Sequence, residues 1–184
     1  MPPEPGDPYV FRALRHEDFP RLAQWLGEPH VTEWWGAVDV ELAAIARAMK
    51  AQAMKAQAMK TGETKPMIVE WNERPIAYLQ TYDPHGEADH PYRDQPAGTI
   101  GLDMLIGLGE ETGRGHGGRI AASLAARLFA DGTKRIVIDP HPENSRAIRA
   151  YEKAGFRFVD QRHSLYGPAH LMALDAQIEE TDTV

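Results

Sequence analysis

Cysteine is missing from this 184-residue chain, which excludes both a disulfide framework and a thiolate nucleophile. No apolar run approaches the roughly 20 residues of a membrane span. Met1 to Pro8 is proline-rich and polar rather than signal-like, so a cytoplasmic protein without membrane contact is expected. The eight histidines include no pair at the i,i+4 spacing of a helical zinc site, and no metal is expected. Nor is a nucleic-acid partner expected of a chain with a formal net charge of -7. The length suits one domain, residues 1–184, with a full core.

The N-terminal half reads as a short strand near Tyr9 to Leu14 and a helix from about His16 to Leu26, opened by acidic Glu17 and Asp18. Val38 to Lys60 is a long helix-forming run in which Ala-Met-Lys-Ala-Gln recurs from Ala48 to Lys60. A five-residue period drifts around a helix of about 3.6 residues per turn, so Met49, Met54 and Met59 cannot form one stripe; a largely exposed extension is expected. Two strands follow, Met67 to Trp71 and Ile76 to Tyr82, joined in hairpin style by Asn72-Glu73-Arg74-Pro75. The loop Asp83 to Pro96 is rich in turn residues, and its length suggests substrate contact.

From Gly101 to Phe156 the order is strand, glycine-rich turn, helix, strand and a second helix carrying Tyr151. Thr99 to Ile106 alternates Ile100, Leu102, Met104 and Ile106, the pattern of a half-buried strand. After Gly113-Arg114-Gly115-His116-Gly117-Gly118, the residues Ile120, Ala121, Leu124, Ala125, Leu128 and Phe129 recur at helical spacing. Glycines free the backbone amides at such a helix start, and the helix dipole favours an anion there. Residues 112–153 hold eight Lys/Arg against four Asp/Glu, so this segment carries +4 and the remainder -11. A locally basic face on an acidic protein suits a polyanionic cofactor, and the acidic remainder suits a cationic partner.

Two cofactor classes could use this turn. Gly113, Gly115 and Gly118 satisfy G-x-G-x-x-G, and Asp139 ends the next strand where a ribose-binding carboxylate would stand. A nicotinamide-dependent oxidoreductase would follow, but the 45 residues after Asp139 are too few to complete a dinucleotide domain. The other class covers more of the chain. Thr112-Gly113-Arg114-Gly115-His116-Gly117 and Asn144 to Phe156 resemble the Q/R-x-x-G-x-G/A turn and the N-x-x-A-x-x-x-Y-x-K-x-G-F helix of the GNAT acetyltransferases, with Thr112 where Gln or Arg is usual. Within that superfamily, Pro29 to Gly36, Gly101-Leu102-Asp103 and Asp139 to Asn144 are similar to the aminoglycoside 6'-N-acetyltransferases. Siderophore-pathway acyltransferases come next, usually with His where Asp103 stands. The acidic, tryptophan-rich loop of the first group is replaced here by His90 to Pro96.

The resemblance implies an α/β (α+β) fold, a mixed, mostly antiparallel sheet flanked by helices, whose splayed central strands form the acetyl-CoA cleft. It implies acetyl-CoA as donor, without a metal, and direct transfer to a primary amine of a cationic small molecule. The cofactor would be held by Arg114, Gly115, His116, Gly117, Gly118, Arg119, Asn144 and Arg149. Tyr151 would serve as general acid toward the leaving sulfur, and Asp103 would bind the ammonium and accept its proton. Trp34, Trp35 and Asp139, with Asp103, would contact the acceptor. Asn144 also suits the N-cap of the Tyr151 helix. A siderophore hydroxylamine or a polyamine is the alternative acceptor, and a non-catalytic acyl-CoA-binding protein the alternative role. A monomer or homodimer is expected.

Overall fold

The structure, a computed structural model, describes residues 7–56, 64–164 and 167–177. Seven strands form one sheet in the order β1-β2-β3-β4-β5-β7-β6. They are β1 (Tyr9–Ala13), β2 (Lys65–Trp71), β3 (Arg74–Tyr82), β4 (Thr99–Ile106), β5 (Arg135–Ile138), β6 (Arg157–Ser164) and β7 (Gly167–Asp175). Every neighbouring pair is antiparallel except β4 and β5. That arrangement is the mixed, mostly antiparallel sheet that the resemblance implies, and it differs from a dinucleotide domain, whose sheet is mostly parallel.

The parallel pair creates the cleft. Ladder partners run only from Thr99↔Arg135 to Gly101↔Val137, although β4 continues to Ile106 and stays paired with β3 along that length. Beyond Gly101 the β5-facing edge of β4 therefore has no strand partner among the described residues; the Ile106 carbonyl there accepts from His30, and the amides before it can meet a ligand.

Helices cover both faces. α1 (Phe19–Leu26), α2 (Pro29–Thr32) and α3 (Val38–Ala56) lie on one side, where Leu22, Trp25, Leu26, Val31 and Ile45 meet Ile68, Tyr78 and Leu105. On the other side lie α4 (His116–Ala130) and α5 (Ser145–Lys153), with Ile120, Ala121, Leu124 and Tyr151 against Leu79, Leu102 and Ile136. β4 is thus covered on both faces rather than half-exposed. Its odd-numbered residues face side chains of β3 directly: Gly101 pairs with Tyr82, Asp103 with Gln80 and Leu105 with Tyr78. A Cβ at Gly101 would lie 2.1 Å from the Tyr82 ring.

Three elements differ from their expected form. The first helix is split into a 3-10 turn, His16–Asp18, and α1, because Asp18 turns back to accept from Arg12 at 2.7 Å and from the Arg15 amide at 2.9 Å. The β2–β3 hairpin closes on two residues, Asn72 (φ 50°) and Glu73 (φ 62°), so Arg74 and Pro75 already belong to β3. α3 is described to Ala56, and Met49 packs partly buried against the α1–α3 core; Met59 and the last repeat lie outside the described residues.

Candidate active site

α4 begins at Gly115, which adopts the left-handed conformation at φ 81°. A Cβ there would meet nothing within 4 Å, so its conformation rather than crowding calls for glycine. Gly118 has a different role. A Cβ at this position would stand 2.6 Å from the Ala150 carbonyl oxygen, so the glycine lets α4 and α5 approach. Gly118→Ala gains about 1 kcal/mol of helix propensity but forces rigid backbone apart, at about 1–3 kcal/mol. We expect a net loss of stability, read as a lower midpoint in thermal unfolding; an unchanged or higher midpoint would mean that the helices separate freely.

A cleft of about 600 Å³ opens between this turn, the free edge of β4 and α5. Gly115, His116, Gly117, Gly118, Arg119, Asn144, Arg149 and Tyr151 line it, with Trp34 and Trp35. Arg146 and Lys153 add further positive charge to its wall. Asp103 and Asp139 are not part of the lining, and neither is Arg114. It lies 3.6 Å from Glu111, and its carbonyl accepts from Arg119 at 3.1 Å. His116, expected to hold the cofactor through the amide cradle of the turn, has its side chain turned inward and 2% exposed. Its Nδ1 lies 2.7 Å from the Tyr9 hydroxyl and its Nε2 lies 3.2 Å from Glu111. Burial lowers its pKa. The imidazole therefore ties the start of α4 to β1, and only its backbone can serve a ligand.

Tyr151 is delivered by α5. Asn144 caps that helix, its Oδ1 accepting from the Ala147 amide at 3.1 Å. Tyr151 is buried, and its hydroxyl makes no hydrogen bond with another described residue. Burial raises its pKa, and the charges of Asp103 and Asp139 raise it further, so the phenol stays protonated throughout the neutral range.

Asp103 accepts from Gln80 Nε2 at 2.8 Å, and the Tyr78 hydroxyl donates to Gln80 Oε1 at 2.8 Å. Burial raises the Asp103 pKa, followed by repulsion from Asp139 and from Glu41 of α3. Asp139 accepts from the Tyr92 hydroxyl, and burial raises its pKa as well. Among the described residues neither carboxylate has an ion pair with Lys or Arg. Gln80, Glu41 and Tyr92 were not singled out from sequence. Pairing Tyr82 with Gly101 would have placed Gln80 opposite Asp103; nothing local marks Tyr92 as a neighbour of Asp139.

The two tryptophans diverge as adjacent residues must. Trp35 meets Tyr78 edge-on at 6.2 Å and packs on the α1–α3 core, whereas Trp34 lies 5.4 Å from His141, just after β5. His30 Nε2, 2.8 Å from the Ile106 carbonyl oxygen, fastens α2 to the end of β4. Among the described residues no group of three or more His, Asp or Glu could hold a metal ion, and no helix is long and apolar enough to cross a membrane.

The acetyltransferase (GNAT) domain profile matches residues 15–164. The aminoglycoside N(6')-acetyltransferase type 1 of Klebsiella pneumoniae is 32% identical over 177 residues, covering 95% of this chain and 87% of the relative. The lysine N-acyltransferase MbtK of Mycobacterium tuberculosis is 26% identical over 179 residues, covering 95% and 82%. A solved structure of AAC(6')-Ib in complex with ribostamycin and coenzyme A is similar with a TM-score of 0.78 and 31% identity, over 92% of this chain and 94% of the other.

Proposed function

The chain belongs to the GNAT acetyltransferase family, and from that premise we propose that it moves the acetyl group of acetyl-CoA to a primary amine of an aminoglycoside-like cation. The observation that carries the acceptor class is the pair Asp103 and Asp139, two half-buried carboxylates held by Gln80 and Tyr92 with no basic partner among the described residues. Burying such charge is costly unless a cation accompanies it, and a polyamino sugar brings several. The relatives named for aminoglycoside acetylation point the same way.

The site fits the donor. Free amides at the start of the 15-residue α4 suit a diphosphate, and Arg119, Arg146, Arg149 and Lys153 along the cleft suit the remaining phosphate charge. Bound there, acetyl-CoA supplies an activated thioester. The unpaired edge of β4 offers backbone amides to the carbonyl oxygen as negative charge develops. Asp103, held by Gln80, binds the reacting ammonium and takes its proton, directly or through water. Tyr151, kept protonated, donates to the departing sulfur.

A lysine-type or siderophore hydroxylamine acceptor is the second reading, favoured by the similarity to the lysine N-acyltransferase. Free-thiol release with kanamycin-type aminoglycosides, hydroxylysine and polyamines distinguishes the two. We expect the highest kcat/KM with the aminoglycosides. A maximum with hydroxylysine or a polyamine moves the acceptor to the second class, and release no faster than an amine-free blank refutes both.

A further inference from the structure

Residues 83–96 are fastened to the end of β5 by side chains rather than by strand pairing. Tyr92 is 2% exposed, and its ring packs against Val137, Leu171 and Ala173 while its hydroxyl donates to Asp139. Arg162 of β6 lies 5.6 Å from the centre of that ring. It grips the loop on both sides of Tyr92: Nη1 donates to the Pro91 carbonyl at 2.7 Å, and the guanidinium fork takes both Asp94 oxygens at 2.7 Å. Asp160 accepts from Arg162 Nε at 2.8 Å. Within the loop, Arg93 donates to the carbonyls of His85 and Glu87 at 3.0 and 3.1 Å. The loop that replaces the acidic, tryptophan-rich segment is therefore a braced wall with one polar tip, the Tyr92 hydroxyl, aimed at a carboxylate.

We propose that Tyr92 is a positioning residue for the acceptor: it fixes the orientation and charge of Asp139, Arg162 fixes Tyr92, and the anion so held anchors a second cationic group while Asp103 takes the reacting amine. This rests on acetyl transfer to a cationic amine as proposed above.

The charged and titratable groups around Asp139 explain why one hydroxyl matters. Asp103 of β4 is a like charge, and Tyr151 of α5 is a protonated phenol. β7 contributes apolar Leu171 and Ala173. Arg162 of β6 faces the Tyr92 ring and is engaged by Asp94 and Asp160. Burial favours the neutral acid at Asp139, and the hydrogen bond from Tyr92 favours the anion. Burial also raises the Tyr92 pKa, so the hydroxyl remains a donor. The two carboxylates each have a neutral side-chain donor, Gln80 for Asp103 and Tyr92 for Asp139, and a backbone amide adds a further hydrogen bond at Asp139. That arrangement keeps both available to ammonium groups instead of committing either to an internal salt bridge.

The test uses Tyr92→Phe in the full chain, with carboxylate-carbon NMR of Asp139 in the free protein and steady-state kinetics with acceptors carrying one or several amines. We expect the Asp139 titration midpoint to rise by about one pH unit. KM for a polyamino acceptor rises about twofold near neutral pH and approaches a tenfold rise as pH falls below the wild-type midpoint of about 6, one pH unit being a tenfold change in the ionised fraction. The increase shrinks as pH rises and Asp139 ionises again. KM for acetyl-CoA stays at the wild-type value, and KM for a single-amine acceptor changes far less than KM for a polyamino one. Arg162→Gln, which releases the loop, should raise the polyamino KM in the same direction. An unmoved Asp139 midpoint, or an equal rise in KM for all acceptors at every pH, overturns the proposal. If no amine is acetylated at all, the reaction assigned above falls, while the free-protein titration still decides whether Tyr92 sets the charge of Asp139.

Discussion

Tyr151→Phe is expected to bind acetyl-CoA as the wild type does and to lose turnover by about 10²-fold or more, the usual contribution of a positioned general acid. The ring is buried among residues of the α4–α5 core, next to Phe156 at 6.1 Å, and phenylalanine preserves that packing. Only the hydroxyl is removed. Because that hydroxyl has no hydrogen bond to another described residue, its loss leaves no partner stranded and folding stability should scarcely change. The decisive comparison is chemical. An acetyl thioester of a more acidic thiol needs less protonation of its sulfur, so the difference between variant and wild type should narrow with such a donor. Turnover within about threefold of wild type with acetyl-CoA, well below the general-acid range, would remove Tyr151 from the reaction.

The second large effect concerns Asp103→Asn. The amide is isosteric and can still accept from Gln80, but it can neither pair with an ammonium nor take its proton. We expect kcat/KM to fall by about 10²-fold or more, the scale of a lost proton acceptor. Stability should move the other way. The folded-state pKa of Asp103 lies above the free value of about 3.9, so the folded state holds that proton more tightly than the unfolded chain. Its stabilising contribution is complete below the free value and is lost as pH rises through the raised midpoint. Each pH unit of elevation is worth about 1.4 kcal/mol. Thermal unfolding of the asparagine variant should therefore match wild type in acid and exceed it at neutral pH. A variant less stable than wild type at neutral pH, or one that keeps its activity, contradicts the role given to Asp103.

Local pattern carried much of this arrangement. Thr99 to Ile106 forms a strand over the expected residues because its alternate apolar side chains and the turn residues beside it act locally. Asn144 caps α5 as a short polar residue at a helix start should. What escaped local reading depends on partners far along the chain. The break after Asp18 comes from Arg12 across the end of β1. The burial of both faces of β4 requires α1–α3 and α4–α5 to arrive from opposite sides. The inward turn of His116 is set by Tyr9, 107 positions earlier, and the hold of Tyr92 on Asp139 spans 47 positions. No periodicity records such pairings; register and loop path do.

The proposed mechanism requires the start of α4 to grip the diphosphate of coenzyme A and thereby bring the thioester to Tyr151. A crystal structure of the protein with coenzyme A tests it most directly. The diphosphate should accept hydrogen bonds from backbone amides between Gly113 and Gly118, with the sulfur beside the Tyr151 hydroxyl. Phosphates bound elsewhere, or a sulfur out of reach of that hydroxyl, would contradict the mechanism.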